Sequence, residues 1–151
     1  MRNAERVRVA NQHNSFGLGK THLQVAIAKE LIHQQIPVLI LSDVTFMEDL
    51  AQARTAKDGS GDFRKMIHTA FHASVLIWDD LGKSHISDFN QRMYYRIINE
   101  RYKAKRPILY SSNEDENTLE EKIGIAAASR LFESSRWIVS VEGRDYRQPE
   151  E

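Results

Sequence analysis

The chain has 151 residues, and 21 Lys and Arg balance 21 Asp and Glu to a formal net charge of zero, a size that fits one domain with its own core and a balance that excludes an overall basic field for nucleic acid. With 41% hydrophobic and 28% charged residues, seven Gly and three Pro, the composition excludes a disordered or fibrous chain. The lack of Cys excludes a disulfide framework and a cysteine nucleophile, and no apolar run approaches the roughly 20 residues of a membrane span or the core of a signal peptide, so a cytoplasmic protein with no membrane partner is expected.

Apolar character alternates between short β-branched runs and longer helical stretches, the pattern of an α/β domain with a mostly parallel sheet. Residues 7–10 read as an edge-like first strand, leading into the polar Asn11, Gln12 and His13. A helix is expected from 20 to about 33, where Leu23, Ile27 and Leu31 recur every fourth residue. Residues 37–41 are nearly all apolar, as a strand covered on both faces must be. Helices around 46–54 and over 63–73 follow, separated by the turn-like Asp58, Gly59, Ser60 and Gly61. Residues 74–78 form a second covered strand. The helix over 87–105 has the clearest stripe, Phe89, Met93 and Ile97 with Tyr94, Ile98 and Tyr102 beside it. Strands at 107–110 and 137–141 close the pattern. Between them a helix opens with Thr118 and Glu121 spaced as a capping box and runs to about 133 with a break at Gly124. Five strands alternating with helices can be wound as one nucleotide-binding sheet, with residues 1–151 as a single domain.

The most informative segment is Asn14, Ser15, Phe16, Gly17, Leu18, Gly19, Lys20 and Thr21. It matches the phosphate-loop pattern G-x-x-x-x-G-K-[ST] except at its first glycine, where Asn14 stands. Asn tolerates positive φ better than any residue but Gly, so the turn is preserved. Gly17 and Gly19 let the backbone wrap around phosphate oxygens, and the N–H groups opening the next helix donate to them. Lys20 then reaches the β and γ phosphates of ATP, and the Thr21 hydroxyl is an Mg²⁺ ligand. An ordinary glycine-containing turn with a solvated lysine is the bland alternative.

About 60 residues later the run Val75, Leu76, Ile77 and Trp78 ends in Asp79 and Asp80. A phosphate-loop ATPase needs a carboxylate there for the metal and a second for the attacking water. Asp79 is the Mg²⁺ candidate and Asp80 the general base or water-orienting group. The fourth strand ends in Ser111, Ser112 and Asn113, which puts a polar side chain at the carboxyl end of the sheet. Asn113 is either a γ-phosphate sensor or part of a turn. Arg130, within Ala128, Ser129, Arg130 and Leu131, is either an arginine finger for the nucleotide of an adjacent subunit or a solvated helix arginine.

Taken together these residues resemble the ATPase domain of the bacterial and phage helicase-loader group, the DnaC/DnaI-type AAA+ proteins, with the IstB-type transposition helper ATPases as close relatives. Ser15 through Leu23, including His22, carry the likeness, as do Trp78 through Lys83, Arg96 through Tyr102, Pro107 through Asn113, Ile123-Gly124, Ala128 through Glu133 and Gly143 through Arg147. The resemblance implies a three-layer α/β/α P-loop fold of AAA+ type with a five-stranded mostly parallel sheet. It implies a weak ATPase acting in DNA replication, with ATP-controlled assembly on a replicative DNA helicase, contact with single-stranded DNA and a homo-oligomer when ATP is bound. It carries Lys20, Asp80, Asn113 and Arg130 over as catalytic residues. Asn14 through His22 follow as nucleotide-binding residues and Thr21 with Asp79 as metal residues. Arg147 falls near the nucleotide or a subunit boundary. With fewer than 15 residues before the loop, no separate N-terminal helicase-binding domain is expected in this chain. Two other readings stay open: the transposition helper, and a nucleotide-dependent binding module with little turnover.

Any DNA contact must be local, given the zero net charge. Arg92, Arg96 and Lys103 share one helix stripe, and Lys103, Lys105 and Arg106 cluster at its end, where cations also complement the helix dipole. Tyr94, Tyr95 and Tyr102 are either base-stacking residues or core. The six His show no metal-ligand spacing, so no zinc site is expected.

Overall fold

The computed structural model describes residues 6–10 and 19–140. Its strands are β1 (Arg6–Ala10), β2 (Val38–Ser42), β3 (Val75–Asp79), β4 (Ile108–Ser112) and β5 (Ser135–Ser140). Its helices are α1 (Lys20–His33), α2 (Asp43–Thr55), α3 (Ser60–His72), α4 (Asp88–Lys103), α5 (Glu116–Ile123) and α6 (Ile125–Glu133). The strands β2, β3 and β4 pair in parallel and in register, Ile40 opposite Ile77 and Trp78 opposite Tyr110. Backbone pairing adds β1 and β5, also parallel, in the order β2-β3-β4-β1-β5.

Because successive strand residues face opposite sides, β3 and β4 feed two separate apolar clusters. Leu76 and Trp78 with Ile108 and Tyr110 point to one face, where they meet Leu50, Ile97 and Leu131 of the helices. Ile77 and Leu109 point to the other, against Ala28 of α1. Helices therefore cover both faces, with the larger core on the α4 side. Phe46 meets Trp78 edge to face with ring centroids 6.0 Å apart. Each fully buried side chain of this kind contributes about 1.5–3 kcal/mol of transfer free energy.

Local chemistry sets the element ends. Gly19 takes φ 81, a left-handed conformation open to glycine, and its carbonyl accepts the Leu23 N–H at 2.9 Å, so α1 opens directly at Lys20. Ser87 caps α4, its hydroxyl accepting the Asn90 N–H at 3.1 Å. The expected break at Gly124 separates α5 from α6, with φ 92 at that residue.

Three expectations are corrected. The strand read as edge-like, β1, lies between β4 and β5, whereas the apolar β2 is the edge, with Ile40 48% exposed. A strand's place follows from what it pairs with, and composition reported only apolarity. The cap of α5 is Asp115, which accepts the Thr118 N–H at 2.8 Å, so the helix starts two residues before the Thr118–Glu121 box. In α1 the buried face is Lys20, Gln24 and Ala28, while Leu23 is 40% exposed. The four-residue spacing identified a helix, but the polar side chains one position along it turn inward, for the reason given below. Among the described residues no helix is long and apolar enough to cross a membrane.

Candidate nucleotide site

The site lies where the N-terminus of α1 meets the carboxyl ends of β3 and β4. Opening α1 at Gly19 puts Lys20 and Thr21 in the first turn. Lys20, though charged, is only 7% exposed, and its Nζ donates to Asn113 Oδ1 just beyond β4. The Thr21 hydroxyl donates to Asp79 Oδ2 at 3.0 Å. Four of the residues singled out in the sequence, from segments 93 and 58 positions apart, are thus brought to one place by two hydrogen bonds. His22 is exposed on the same turn. Asn14, Ser15, Phe16, Gly17 and Leu18 lie outside the described residues, as does Arg147.

Asp79 and Asp80 are adjacent but differently held. The second oxygen of Asp79, Oδ1, accepts the Ser111 hydroxyl at 2.7 Å. Asp80 turns away with φ 54. Its N–H donates to Ser111 Oγ at 3.0 Å, and its carboxylate pairs with Lys83 at 3.0 Å. The turn continues through Gly82 at φ 84, where a Cβ would come within 2.6 Å of Leu119 Cδ1, so only glycine fits against α5. The Leu81 N–H donates to the Ser111 carbonyl at 2.8 Å, and the Ser112 hydroxyl to the Leu81 carbonyl at 3.0 Å. The serines of β4 thereby bind the acidic turn residue by residue after the strand pairing ends.

A third carboxylate, Asp43, opens α2 directly after β2 and is fully buried. It accepts Trp78 Nε1–H at 2.8 Å, Tyr94 OH at 2.7 Å and the Ser84 N–H at 2.9 Å. Burial pushes the Asp43 carboxyl above its ordinary value, against the hydrogen bonds that favour its charged form, and burial together with Asp43 raises the Tyr94 hydroxyl. This network ties β2, β3 and α4 to the segment after Asp80.

Arg130 is on α6, with its guanidinium 5.1 Å from the centre of the Tyr102 ring. Of the residues read for DNA, Arg92 and Arg96 are exposed on α4. Lys103 pairs with Glu100 at 3.1 Å, and Arg106 donates to the Phe71 carbonyl at 2.9 Å. Tyr94 is core, which removes it from any stacking surface, while Tyr95 is 39% exposed. Among the described residues no group of three His, Asp or Glu could hold a metal.

Sequence reasoning passed over Gln24, Asp43, Arg101 and Ser111. Gln24 is one helical turn from Lys20, and that spacing was the available signal. Ser111 was inside the flagged Ser-Ser-Asn run. Asp43 follows directly on an apolar strand, as Asp79 does. Arg101 is fully buried and donates to the carbonyls of Ala70, Ala73 and Pro107 at 2.8–2.9 Å. Nothing local distinguishes it from the solvated arginines of the same helix.

The family model for IstB-like ATP binding proteins matches residues 11–151. The chain belongs to this IstB-like family. The resemblance read from the sequence therefore holds, and the protein is of the ATP-binding AAA+ P-loop kind related to the DnaC helicase loaders and DnaA. This IstB-like chain is 32% identical over 139 residues to protein XkdC of the phage-like element PBSX of Bacillus subtilis (strain 168), covering 86% of this chain and 49% of that protein. It is 23% identical over 124 residues to the replicative helicase loader DnaC of Escherichia coli (strain K12), covering 82% and 50%. The chain spans about half the length of these curated relatives. In fold it is similar to AMPPCP-bound DnaA from Aquifex aeolicus, with a TM-score of 0.77 at 19% identity over 92% of this chain and 41% of that one. That likeness establishes the α/β P-loop, AAA+-like fold.

Proposed function

We propose that this IstB-like chain binds Mg-ATP between the start of α1 and the ends of β3 and β4, hydrolyses it slowly on its own, and acts in loading a replicative helicase onto single-stranded DNA. The observation that carries the reading is the pairing of Thr21 with Asp79 at 3.0 Å beside the Lys20–Asn113 bond. A hydroxyl and a carboxylate oxygen side by side are hard oxygen donors of the kind Mg²⁺ takes, so Thr21 and Asp79 are the residues that would hold it. When bound, Mg²⁺ supplies charge neutralisation at the phosphates. The chain's own residues do the rest. Asn14 through His22 cradle the phosphates, Lys20 offsets the charge developing at the γ-phosphate, and Asp80 with Asn113 orients the water for in-line attack. Asp80 exchanges its Lys83 partner for that water. Arg130 is delivered to the neighbouring subunit's nucleotide, which makes the active form a homo-oligomer and the isolated monomer a poor ATPase.

Residues 1–151 form one AAA+ domain in this reading, acting in the cytoplasm. The helicase and single-stranded DNA as partners rest on the resemblance to the loaders, with Arg92 and Arg96 as the exposed cations on α4. The family match equally favours a transposition helper, which shares this site but answers to a transposase. A module that binds nucleotide with little turnover is the third reading.

Affinity capture from the native host, with ATP and with a non-hydrolysable analogue, tests all three alongside Lys20→Ala. Nucleotide-dependent capture of a helicase with Lys20-dependent phosphate release supports the proposal. Capture of a transposase supports the helper. Lys20-dependent binding without phosphate release, even with DNA and partner present, supports the module.

A further inference from the structure

We propose that Gln24, acting with Ser111, is a positioning residue for the acidic strand end: it occupies Asp79 Oδ1 from inside the protein and leaves Oδ2 as the one oxygen offered to Thr21 and the magnesium nucleotide. The inference rests on the nucleotide-site reading above.

Gln24 is 1% exposed on the face of α1 that also carries Lys20. Its neighbours dictate how its amide lies. Asp79 Oδ1 can only accept and the Ser111 N–H can only donate. The amide nitrogen therefore faces Asp79 Oδ1 at 2.7 Å and the amide oxygen faces the Ser111 N–H at 3.1 Å. Ser111 Oγ donates to the same Oδ1 at 2.7 Å and accepts the Asp80 N–H at 3.0 Å. Both donors to Oδ1 thus come from buried side chains, and the partner of Oδ2, Thr21, is at the surface. A carboxylate is nearly symmetric about its last torsion, which is broad and soft. Two donors on one oxygen remove that freedom.

The β3–β4 pairing runs to Trp78 opposite Tyr110. Beyond it, Gln24 joins Asp79 of β3 to Ser111 of β4 through α1. An aliphatic side chain could fill this buried position as Ala28 does one turn later. A buried amide is favoured over it only because its bonds are made. Partners behind a metal ligand characteristically govern metal affinity by about 10- to 100-fold.

The test titrates mant-ATP into the full chain with excess Mg²⁺ and, separately, with EDTA, for wild type, Gln24→Leu, Ser111→Ala and Ser111→Thr. Gln24→Leu and Ser111→Ala are expected to lose about tenfold in affinity with Mg²⁺ and to match wild type in EDTA. Ser111→Thr, which keeps the hydroxyl, restores wild-type behaviour. Melting without nucleotide checks that each variant is folded. Should Gln24→Leu not fold, Gln24→Glu takes its place, since it keeps the size and sets an oxygen against Asp79 Oδ1, and it is expected to lose at least as much. Equal losses with and without Mg²⁺, or no loss in either, overturn the positioning role while wild type still shows Mg²⁺-dependent binding. Wild type that binds mant-ATP in neither condition overturns the nucleotide-site reading itself and this inference with it.

Discussion

Two carboxylates end neighbouring strands, Asp43 after β2 and Asp79 at the end of β3, and they are chemically the same group put to opposite uses. Asp43 is sealed in, with Trp78, Tyr94 and Ser84 donating to it from three directions. Asp79 is satisfied from behind by Ser111 while its other oxygen meets Thr21 at the surface. A strand-end carboxylate surrounded by donors is a strut. One whose donors all lie on a single side keeps an oxygen for something arriving from outside.

Exchanging the two roles is the sharpest way to break this comparison. Asp43→Ala leaves three donors without an acceptor, and at about 1–3 kcal/mol for an orphaned buried group the expected loss is about 3 kcal/mol, a fall of about 10 °C in melting temperature. Asp79→Ala leaves the buried Gln24 amide and Ser111 hydroxyl without that acceptor but returns the exposed Thr21 to water, so a smaller loss of about 2 kcal/mol is expected, together with Mg²⁺-dependent nucleotide binding weakened about 100-fold. Calorimetry and nucleotide titration of the two variants give the answer. Equal stability losses would dissolve the distinction.

Arg101 extends the comparison to a cation. Arg101→Met withdraws charge-assisted bonds from carbonyls at the ends of α3 and the start of β4, and a loss of about 2–3 kcal/mol is expected with nucleotide affinity unchanged. The pH response separates strut from site in a second way. With its folded value raised above its unfolded one, Asp43 contributes most at low pH, and that contribution is lost as pH rises through the raised value. The stability difference between wild type and Asp43→Asn should therefore be larger below the ordinary carboxyl value of 3.8 than at neutral pH, and a reversed difference in denaturant midpoints would contradict the burial argument. The smallest effect belongs to Lys83. It is more than half exposed in its pair with Asp80, so Lys83→Ala should move stability by less than about 0.5 kcal/mol.

Much of this was legible in the sequence, and what was legible was periodic or contiguous. The stripe of α4, the break at Gly124 and the apolar run before Asp79 each follow from local spacing. Lys20, Thr21, Asp79 and Asn113 were marked by motif chemistry. Gln24, Asp43 and Ser111 were not, because what distinguishes them is a partner 31–87 positions away, and no local pattern encodes such a distance. The misplacement of β1 and β2 has the same origin: pairing order is a property of the whole sheet. Arg101 is a cation that folding encloses, and nothing in its local sequence marks it.

Gly82 leaves no slack between the acidic turn and Leu119 of α5. A side chain placed at residue 82 would therefore press on that helix, and α5 leads straight through Gly124 into α6 and Arg130. The turn that follows Asp80 and the helix that leads toward Arg130 thus lie against each other at a residue where a hydrogen atom stands in place of a side chain.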